Sequence, residues 1–131
     1  MNFYPSASPN FPKLLIVDDE PNALDAWAQL LSMHDFNVHT ASNGKQALDA
    51  ARRIRPQLIL TDLMMPEMDG VALCRALRAD AELALIPIIL WSAATRSPRG
   101  EDTPSMLFDR FLTKPVLFDT LIGVVQKMVC S

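Results

Sequence analysis

Polar side chains stand at the downstream end of several apolar runs in this chain. Asp18 and Asp19 come after KLLIV, Asp62 ends LILTD, Ser92 follows IPIILW, and Lys114 follows RFLT. Runs that are apolar at consecutive positions are typical of parallel strands covered on both faces. Because the downstream ends of parallel strands share one edge of a sheet, where ligands bind in open α/β folds, we expect these side chains to converge.

A cluster of carboxylates, a hydroxyl and an ammonium favours divalent-metal and phosphoryl chemistry. Two carboxylates about 4 Å apart repel by about 4 kcal/mol at an effective dielectric constant of about 20, so the cluster needs a cation or protons. Mg²⁺ takes oxygen ligands and is held by one or two carboxylates plus phosphate oxygens. We predict that Asp19 and Asp62 bind Mg²⁺ directly and that the second oxygen of Asp62 attacks phosphorus, with Lys114 and Ser92 holding phosphoryl oxygens.

Length and composition favour one globular domain. The chain has 131 residues, 50% of them hydrophobic and 21% charged, with a net charge of -3, which argues against direct nucleic-acid binding. No apolar stretch approaches the roughly 20 residues of a membrane span, and the first residues lack the features of a secretory signal. We therefore expect a cytoplasmic protein without membrane contact, in which Cys74 and Cys130 are ordinary thiols.

Apolar runs alternate with segments of helical periodicity along most of the chain. Residues 1–12 contain three prolines among Ser and Asn and predict an extended or disordered tail, followed by one domain over 13–131. The alternation predicts five strands in an α/β parallel sheet with helices on both faces. Helix starts are indicated by Glu20-Pro21, Asn43-Gly44 and Asp69-Gly70.

The segment between the fourth and fifth apolar runs breaks this pattern. Pro98, Gly100 and Pro104 are all unfavourable inside a helix, so the fourth helical segment is predicted to be shortened or irregular. A Thr-Pro pair favours a helix of one or two turns over about Pro104 to Asp109, after an irregular loop. We hypothesise that the loop over residues 95–102 is a docking or access element.

The chain resembles the receiver domains of two-component response regulators from Lys13 to Val129. The acidic pair in LLIVDDE, the aspartate in LILTDLMMPEMDG, the hydroxyl in WSAA and the lysine-proline in FLTKP carry this resemblance, in the family's order and with similar spacing. The resemblance implies a flavodoxin-like, doubly wound parallel sheet of five strands in the order 2-1-3-4-5.

The resemblance also implies a metal and phosphorylation site. It assigns Asp62 as the phosphoacceptor, Asp19 as a direct Mg²⁺ ligand, Asp18 as a water-mediated ligand and the main-chain carbonyl of Met64 as a further ligand. Mg²⁺ is then the expected cofactor. These assignments agree with the chemistry that the carboxylates permit on their own.

A second group of residues is implied to sense the phosphoryl group. Ser92 and Lys114 correspond to the phosphoryl-sensing hydroxyl and cation, and Phe111 corresponds to the switch aromatic. The resemblance also implies a cis peptide bond before Pro115. Trp91 departs from the pattern, because an aliphatic residue commonly precedes the hydroxyl. For Phe111, static packing in the core stays open as an alternative.

By resemblance, the function is phosphotransfer from a histidine kinase or a histidine phosphotransfer protein, followed by a shift of the face around the fourth and fifth helical segments. The resemblance thus implies a phosphoacceptor regulator and not a conventional enzyme. The chain ends near the fifth helical segment, so we expect the signal to pass to a downstream partner protein or to an output domain absent from this sequence. The irregular fourth segment disfavours dimerisation through that face.

Two other functions stay open. A pseudo-receiver would keep the fold as an interaction module without phosphorylation, and the irregular fourth segment is the feature that favours it. A phosphohydrolase with an aspartyl nucleophile is the other, but Asp62-Leu63-Met64 lacks the DxD pattern that is typical of such enzymes. His34 and His39 have no partner motif and are predicted to be ordinary surface residues.

Overall fold

Five parallel strands form one sheet in the computed structural model, which describes residues 10–92 and 107–130. The strands are Lys13–Val17 (β1), Asn37–Ala41 (β2), Leu58–Asp62 (β3), Ile88–Ser92 (β4) and Arg110–Thr113 (β5). The helices are Pro21–Ser32 (α1), Gly44–Ile54 (α2), Gly70–Ala79 (α3) and Phe118–Cys130 (α4). The sheet has the order β2-β1-β3-β4-β5, so the predicted order is confirmed.

The sheet separates two apolar layers, as the continuous apolar runs predict. In β1, Leu15 and Val17 pack with residues of α2 and α3, whereas Leu14 and Ile16 pack with residues of α1 and α4. The central strand β3 and its neighbour β4 are buried at every position. Successive side chains of a strand point to opposite faces, so a strand covered on both faces needs apolar residues throughout.

Side-chain caps start three of the helices immediately after the turns that the sequence indicates. An oxygen of each capping side chain accepts a hydrogen bond from a main-chain N–H of the first helical turn: Glu20 from Ala23, Asn43 from Gln46, and Asp69 from Ala72. Caps of this kind stabilise a helix by about 0.5–2 kcal/mol each. They begin α1 and α3 a few residues beyond β1 and β3, which keeps the connecting loops short.

The prediction of a helix over Pro104 to Asp109 is wrong for its last residues, 107–109, which are not helical. Leu107 and Phe108 are buried in the apolar layer beneath α3, and the Asp109 carboxylate accepts a hydrogen bond from the main-chain N–H of Ile88 at 2.8 Å. These contacts draw the chain into β5 as an extended segment instead of a helical turn. The rest of that helix, the predicted loop over 95–102 and the first nine residues lie outside the described residues.

Arg78 on α3 fixes the point at which the chain enters β5. Its guanidinium donates hydrogen bonds to the main-chain carbonyls of Leu107, Ala84 and Ile86 and to the carboxylate of Asp109. Because β5 lies at the edge of the sheet and pairs with β4 alone, this anchor helps to place the residues that follow β5. Within the described ranges, no helix is both long and apolar enough to cross a membrane.

Candidate functional site

Three aspartates meet where β1 and β3 end. β1 ends at Val17 and the neighbouring β3 ends at Asp62, which brings Asp18, Asp19 and Asp62 to the same edge. One carboxylate oxygen from each lies within 4.8 Å of the others. Within residues 10–92 and 107–130, these aspartates form the one group of three or more acidic, His or Cys side chains close enough to share a metal ion. The predicted convergence is therefore confirmed for the carboxylates.

The three carboxylates differ in their exposure to water. Asp18 is 1% exposed and Asp62 is 9% exposed, whereas Asp19 lies at the surface. Asp18 accepts a hydrogen bond from the main-chain N–H of Glu20 at 3.0 Å, and Asp62 accepts one from the main-chain N–H of Met64 at 3.3 Å. Each buried carboxylate therefore keeps a second oxygen that its main-chain donor does not use.

Lys114 is the cation of this edge. Its Nζ lies 3.4 Å from Oδ2 of Asp18 and 3.5 Å from Oδ2 of Asp62. The main-chain N–H of Lys114 donates to the carbonyl of Ser92 at 2.7 Å, which extends the β4–β5 pairing to the site. The peptide bond between Lys114 and Pro115 is cis, as predicted. We call Asp18, Asp19, Asp62 and Lys114 the acidic rim.

Within the acidic rim, the pKa of the Asp62 carboxyl is raised above its ordinary value. Burial is the largest cause, because it disfavours the charged form, and the nearby carboxylate of Asp18 acts in the same direction. The Lys114 ammonium and the Met64 N–H oppose the shift without cancelling it. Among the described residues, the Lys114 ammonium thus leaves the three carboxylates under-compensated, which favours a further cation at this position.

A tight loop after β3 holds Asp62 in place. The N–H of Leu63 donates to the carbonyl of Trp91 at 2.9 Å, and the N–H of Gly70 donates to the carbonyl of Leu63 at 2.8 Å. A Cβ on Gly70 would lie 2.6 Å from the main-chain oxygen of Asp62, which is a steric clash. Sequence analysis assigned Gly70 to a turn but did not predict this close approach, which requires glycine at the start of α3.

Ser92 and Phe111 take positions that agree with the sequence analysis. Ser92 ends β4 and is fully buried, one residue beyond Trp91, which pairs with Asp62 across the sheet. Phe111 in β5 is partly buried and packs against the apolar layer beneath α2 and α3. The sensing role of Ser92 and the switch role of Phe111 stay predictions. Static packing by Phe111 also stays open.

Trp91 adds a contact that sequence analysis did not predict. Lys114 Nζ lies 4.9 Å from the centroid of the Trp91 ring. The sequence marked this residue as unusually bulky but gave no partner for it. The signal that could have identified the contact is the register of β4 with β5, which places residues 91 and 114 near one end of the sheet.

The two histidines and Cys74 do not belong to the cluster of three aspartates. His34 is exposed and its Nδ1 lies 3.1 Å from the carbonyl of Leu30, while His39 is partly buried on the edge strand β2. Burial and the nearby Lys13 lower the pKa of His39. Cys74 is a free, buried thiol whose pKa burial raises to about 12, so it stays protonated near neutral pH. The Cys130 side chain lies outside the description.

Comparison with known protein families gives one clear match. The family described as "Response regulator receiver domain" matches residues 14–126. Among characterised relatives, the DNA-binding response regulator MtrA of Mycolicibacterium smegmatis is 40% identical over 83 residues, which cover 63% of this chain and 35% of that protein. The chain therefore spans only about a third of the length of this relative.

Comparison with solved structures supports the same fold. The chemotaxis response regulator CheY4 of Vibrio cholerae superposes with a TM-score of 0.81 at 28% identity, covering 91% of this chain and 99% of that one. The response regulator TrrA of Thermotoga maritima, solved in complex with Mg(2+)-BeF, has a TM-score of 0.79 at 29% identity and covers 90% and 99% of the two chains.

Proposed function

We propose, from the premise that this chain belongs to the response regulator receiver domains, that it is the phosphoacceptor of a two-component or phosphorelay system and that Asp62 receives the phosphoryl group. The observation that carries the proposal is the acidic rim itself. Two nearly buried carboxylates and an exposed one lie within 4.8 Å of each other, and the ammonium of Lys114 lies beside the two buried ones. Such a cluster of carboxylates, one of them with a raised pKa at Asp62, is a candidate site on physical grounds.

The donor set of the acidic rim fits Mg²⁺. It consists of carboxylate oxygens, which suit a hard divalent cation. Because burial disfavours the charged form of Asp62, a cation bound beside it would stabilise that form. Asp19 and Asp62 would hold the ion directly, Asp18 through a water molecule, and Met64 through its main-chain carbonyl. When bound, the ion would neutralise phosphate oxygens that approach the carboxylates.

The chain's own residues supply the remaining requirements of phosphotransfer. A carboxylate oxygen of Asp62 attacks the phosphorus of a phosphohistidine, a P–O bond forms, and the P–N bond breaks with its electron pair returning to the imidazole. Lys114 lies close enough to Asp62 for its ammonium to meet an incoming phosphoryl oxygen. Ser92 would donate its hydroxyl to another such oxygen. Positioning and charge stabilisation therefore account for the protein's part.

The family to which the chain belongs suggests the donor and the receiver of the signal. The donor would be a histidine kinase or a histidine phosphotransfer protein, whose phosphohistidine presents phosphorus attached to a good leaving group. After transfer, the new dianion at Asp62 would draw Ser92 towards it and bias Phe111 between two positions. Output would then pass to a downstream partner or to an output domain joined to this one.

Incubation with acetyl phosphate and Mg²⁺ tests the proposal. We expect intact-mass spectrometry to show one added phosphoryl group that is labile to hydroxylamine, and we expect Asp62→Asn to lose it. Asp80→Asn is the matched control, because Asp80 is another aspartate that lies at the C-terminal end of α3, whereas the start of the same helix lies against Asp62. Absence of the phosphoryl group in the wild-type protein would indicate a pseudo-receiver, and turnover of p-nitrophenyl phosphate would indicate a hydrolase.

A further inference from the structure

The indole ring of Trp91 lies beside the ammonium of Lys114. Nζ is 4.9 Å from the ring centroid, within the distance of about 6 Å at which a cation is attracted by an aromatic face. Trp91 is fully buried at the end of β4, and its register partner in β3 is Asp62. The ring therefore belongs to the strand that pairs with both β3, which ends at Asp62, and β5, which Lys114 follows.

Packing alone does not account for an indole at this position. The Nε1–H group of Trp91 is buried and has no hydrogen-bond partner among the described residues. A buried indole N–H usually finds an acceptor, and leaving it without one is unfavourable. An aliphatic side chain would fill the layer without that loss. The aromatic face towards Lys114 is the property that an aliphatic residue could not supply.

The carboxylates alone do not hold the ammonium tightly. Its distances of 3.4 Å to Asp18 and 3.5 Å to Asp62 exceed the roughly 2.7–2.9 Å of a strong charge-assisted hydrogen bond. The ring attracts the ammonium through its quadrupole and accepts no conventional hydrogen bond. The ring thus adds attraction for the cation near the rim without a further short ion pair, beside the long hydrogen bond that Lys114 donates to Asp18.

We propose that Trp91 is a positioning residue for Lys114, which keeps the ammonium where it meets the phosphoryl group as that group reaches Asp62. The inference rests on the proposed function. Trp27 of α1 supports the ring from the helix layer, with centroids 5.1 Å apart and ring planes inclined by 60°. Because Trp27 restrains the Trp91 ring, that ring can restrict the position of the flexible Lys114 side chain without a short ion pair.

A double-mutant cycle on the rate of phosphorylation by acetyl phosphate separates positioning from packing. We expect Trp91→Leu to slow phosphorylation by about 3- to 10-fold, and Trp91→Phe to recover most of the rate because a weaker aromatic face remains. In a Lys114→Met background, Trp91→Leu should have no further effect. Phe36→Leu is the matched control, since it changes a buried aromatic side chain of the same layer that precedes β2, at the edge of the sheet opposite β5.

Equal slowing by Trp91→Leu in the wild-type and Lys114→Met backgrounds would overturn the proposal, because the effect would then come from packing. If the wild-type protein takes up no phosphoryl group, the proposed function fails and the positioning role fails with it. A normal wild-type rate together with an unchanged Trp91→Leu rate contradicts the positioning role alone. Trp91→Phe keeps the test valid if the leucine variant does not fold.

Tryptophan fluorescence tests the contact without a phosphoryl donor. The chain has two tryptophans, so Trp27→Phe leaves Trp91 as the single emitter. In that background, Lys114→Met should change the intensity and wavelength of the Trp91 emission, because a nearby charge is removed. Lys13→Met, which removes an exposed lysine at the start of β1, should leave the emission unchanged. Identical spectra with and without Lys114 would show that the ring does not hold the ammonium.

Discussion

The acidic rim and the ion pairs between the end of α2 and the turn after α3 arrange charge in opposite ways. In the second region, which we call the α2–α3 seam, Arg55 lies 2.8 Å from Glu82 and Arg52 lies 3.2 Å from Asp80. Each seam charge has one opposite partner, and both arginines are exposed. At the rim, the carboxylates outnumber the single ammonium, the distances are longer, and two carboxylates are nearly buried.

From this difference we infer that the N···O distance of an ion pair does not by itself indicate how much the pair contributes to stability or to function. Water screens the seam, so its short pairs contribute little to folding. At the rim, burial weakens screening, and among the described residues the negative charge exceeds the positive charge, which is unfavourable for the isolated domain. A protein retains such an arrangement where a ligand supplies the missing charge. The four predictions that follow test this contrast.

The largest effect on stability is expected from a substitution at Arg78. This residue is a mostly buried cation whose guanidinium donates hydrogen bonds to three carbonyls and one carboxylate. Its guanidinium lies 2.7 Å from the carbonyl of Ile86 and 2.8 Å from that of Ala84. We expect Arg78→Met to lower the free energy of unfolding in urea by about 2–4 kcal/mol, since several buried acceptors lose a charged donor. A loss as small as that of Arg55→Ala would show that burial does not separate the two classes of charge.

Mg²⁺ should stabilise the protein through the acidic rim. At about 100 times its dissociation constant, the ion should raise the free energy of unfolding by about 2.7 kcal/mol. Asp19→Asn should reduce this gain, whereas Asp80→Asn on the seam should retain it. The measurement is urea unfolding in MgCl₂ against NaCl at equal ionic strength. Equal gains for the two variants would mean that Mg²⁺ acts elsewhere.

The two regions should respond to pH with opposite signs. Because the pKa of Asp62 is raised from 3.8, the folded state binds the proton more tightly, and without Mg²⁺ its contribution to stability falls as pH rises from 3.8 through the raised value. The pKa of Asp80 is lowered, mainly by the Glu82 N–H and then by Arg52, so its contribution is present above 3.8 and is lost as pH falls through the lowered value.

Unfolding free energies measured from about pH 3 to pH 7 check these signs in matched variants. Asp62→Asn should remove a decline of stability with rising pH, and Asp80→Asn should remove an increase. Curves that change in the same direction for both variants would contradict the assignment of the shifts. Wild-type protein in saturating Mg²⁺ should show a weaker decline, since the ion favours the ionised carboxylate.

The smallest effect is expected on the seam. Arg55→Ala removes the pair with Glu82, which is short but exposed on both sides. We expect the free energy of unfolding to change by about 0.2–1 kcal/mol, and by less in about 1 M salt, because water and ions screen such pairs. Urea unfolding at low and high salt measures it. A change above that of Arg78→Met would reverse the proposed contrast.

Local patterns in the sequence were sufficient to predict the elements and the residues at their ends. Continuous apolar runs predicted strands covered on both faces, and these strands end at or just before the residues named from the sequence. Glu20, Asn43 and Asp69 start helices as predicted, because a capping side chain needs only the main chain of its own helix. The strand order, by contrast, came from the family resemblance and not from these patterns.

Only the tertiary structure decided the contacts between elements that are distant in sequence. The close approach of Gly70 to Asp62, the ring of Trp91 beside Lys114 and the extended entry of residues 107–109 into β5 depend on neighbouring strands and helices. The expected helix end failed for this reason, since burial of Leu107 and Phe108 outweighed a local helix signal. The sequence by itself determined which charges reach the rim. Their distances and their loss of water, which set the raised pKa of Asp62, depend on packing from both sides of the sheet.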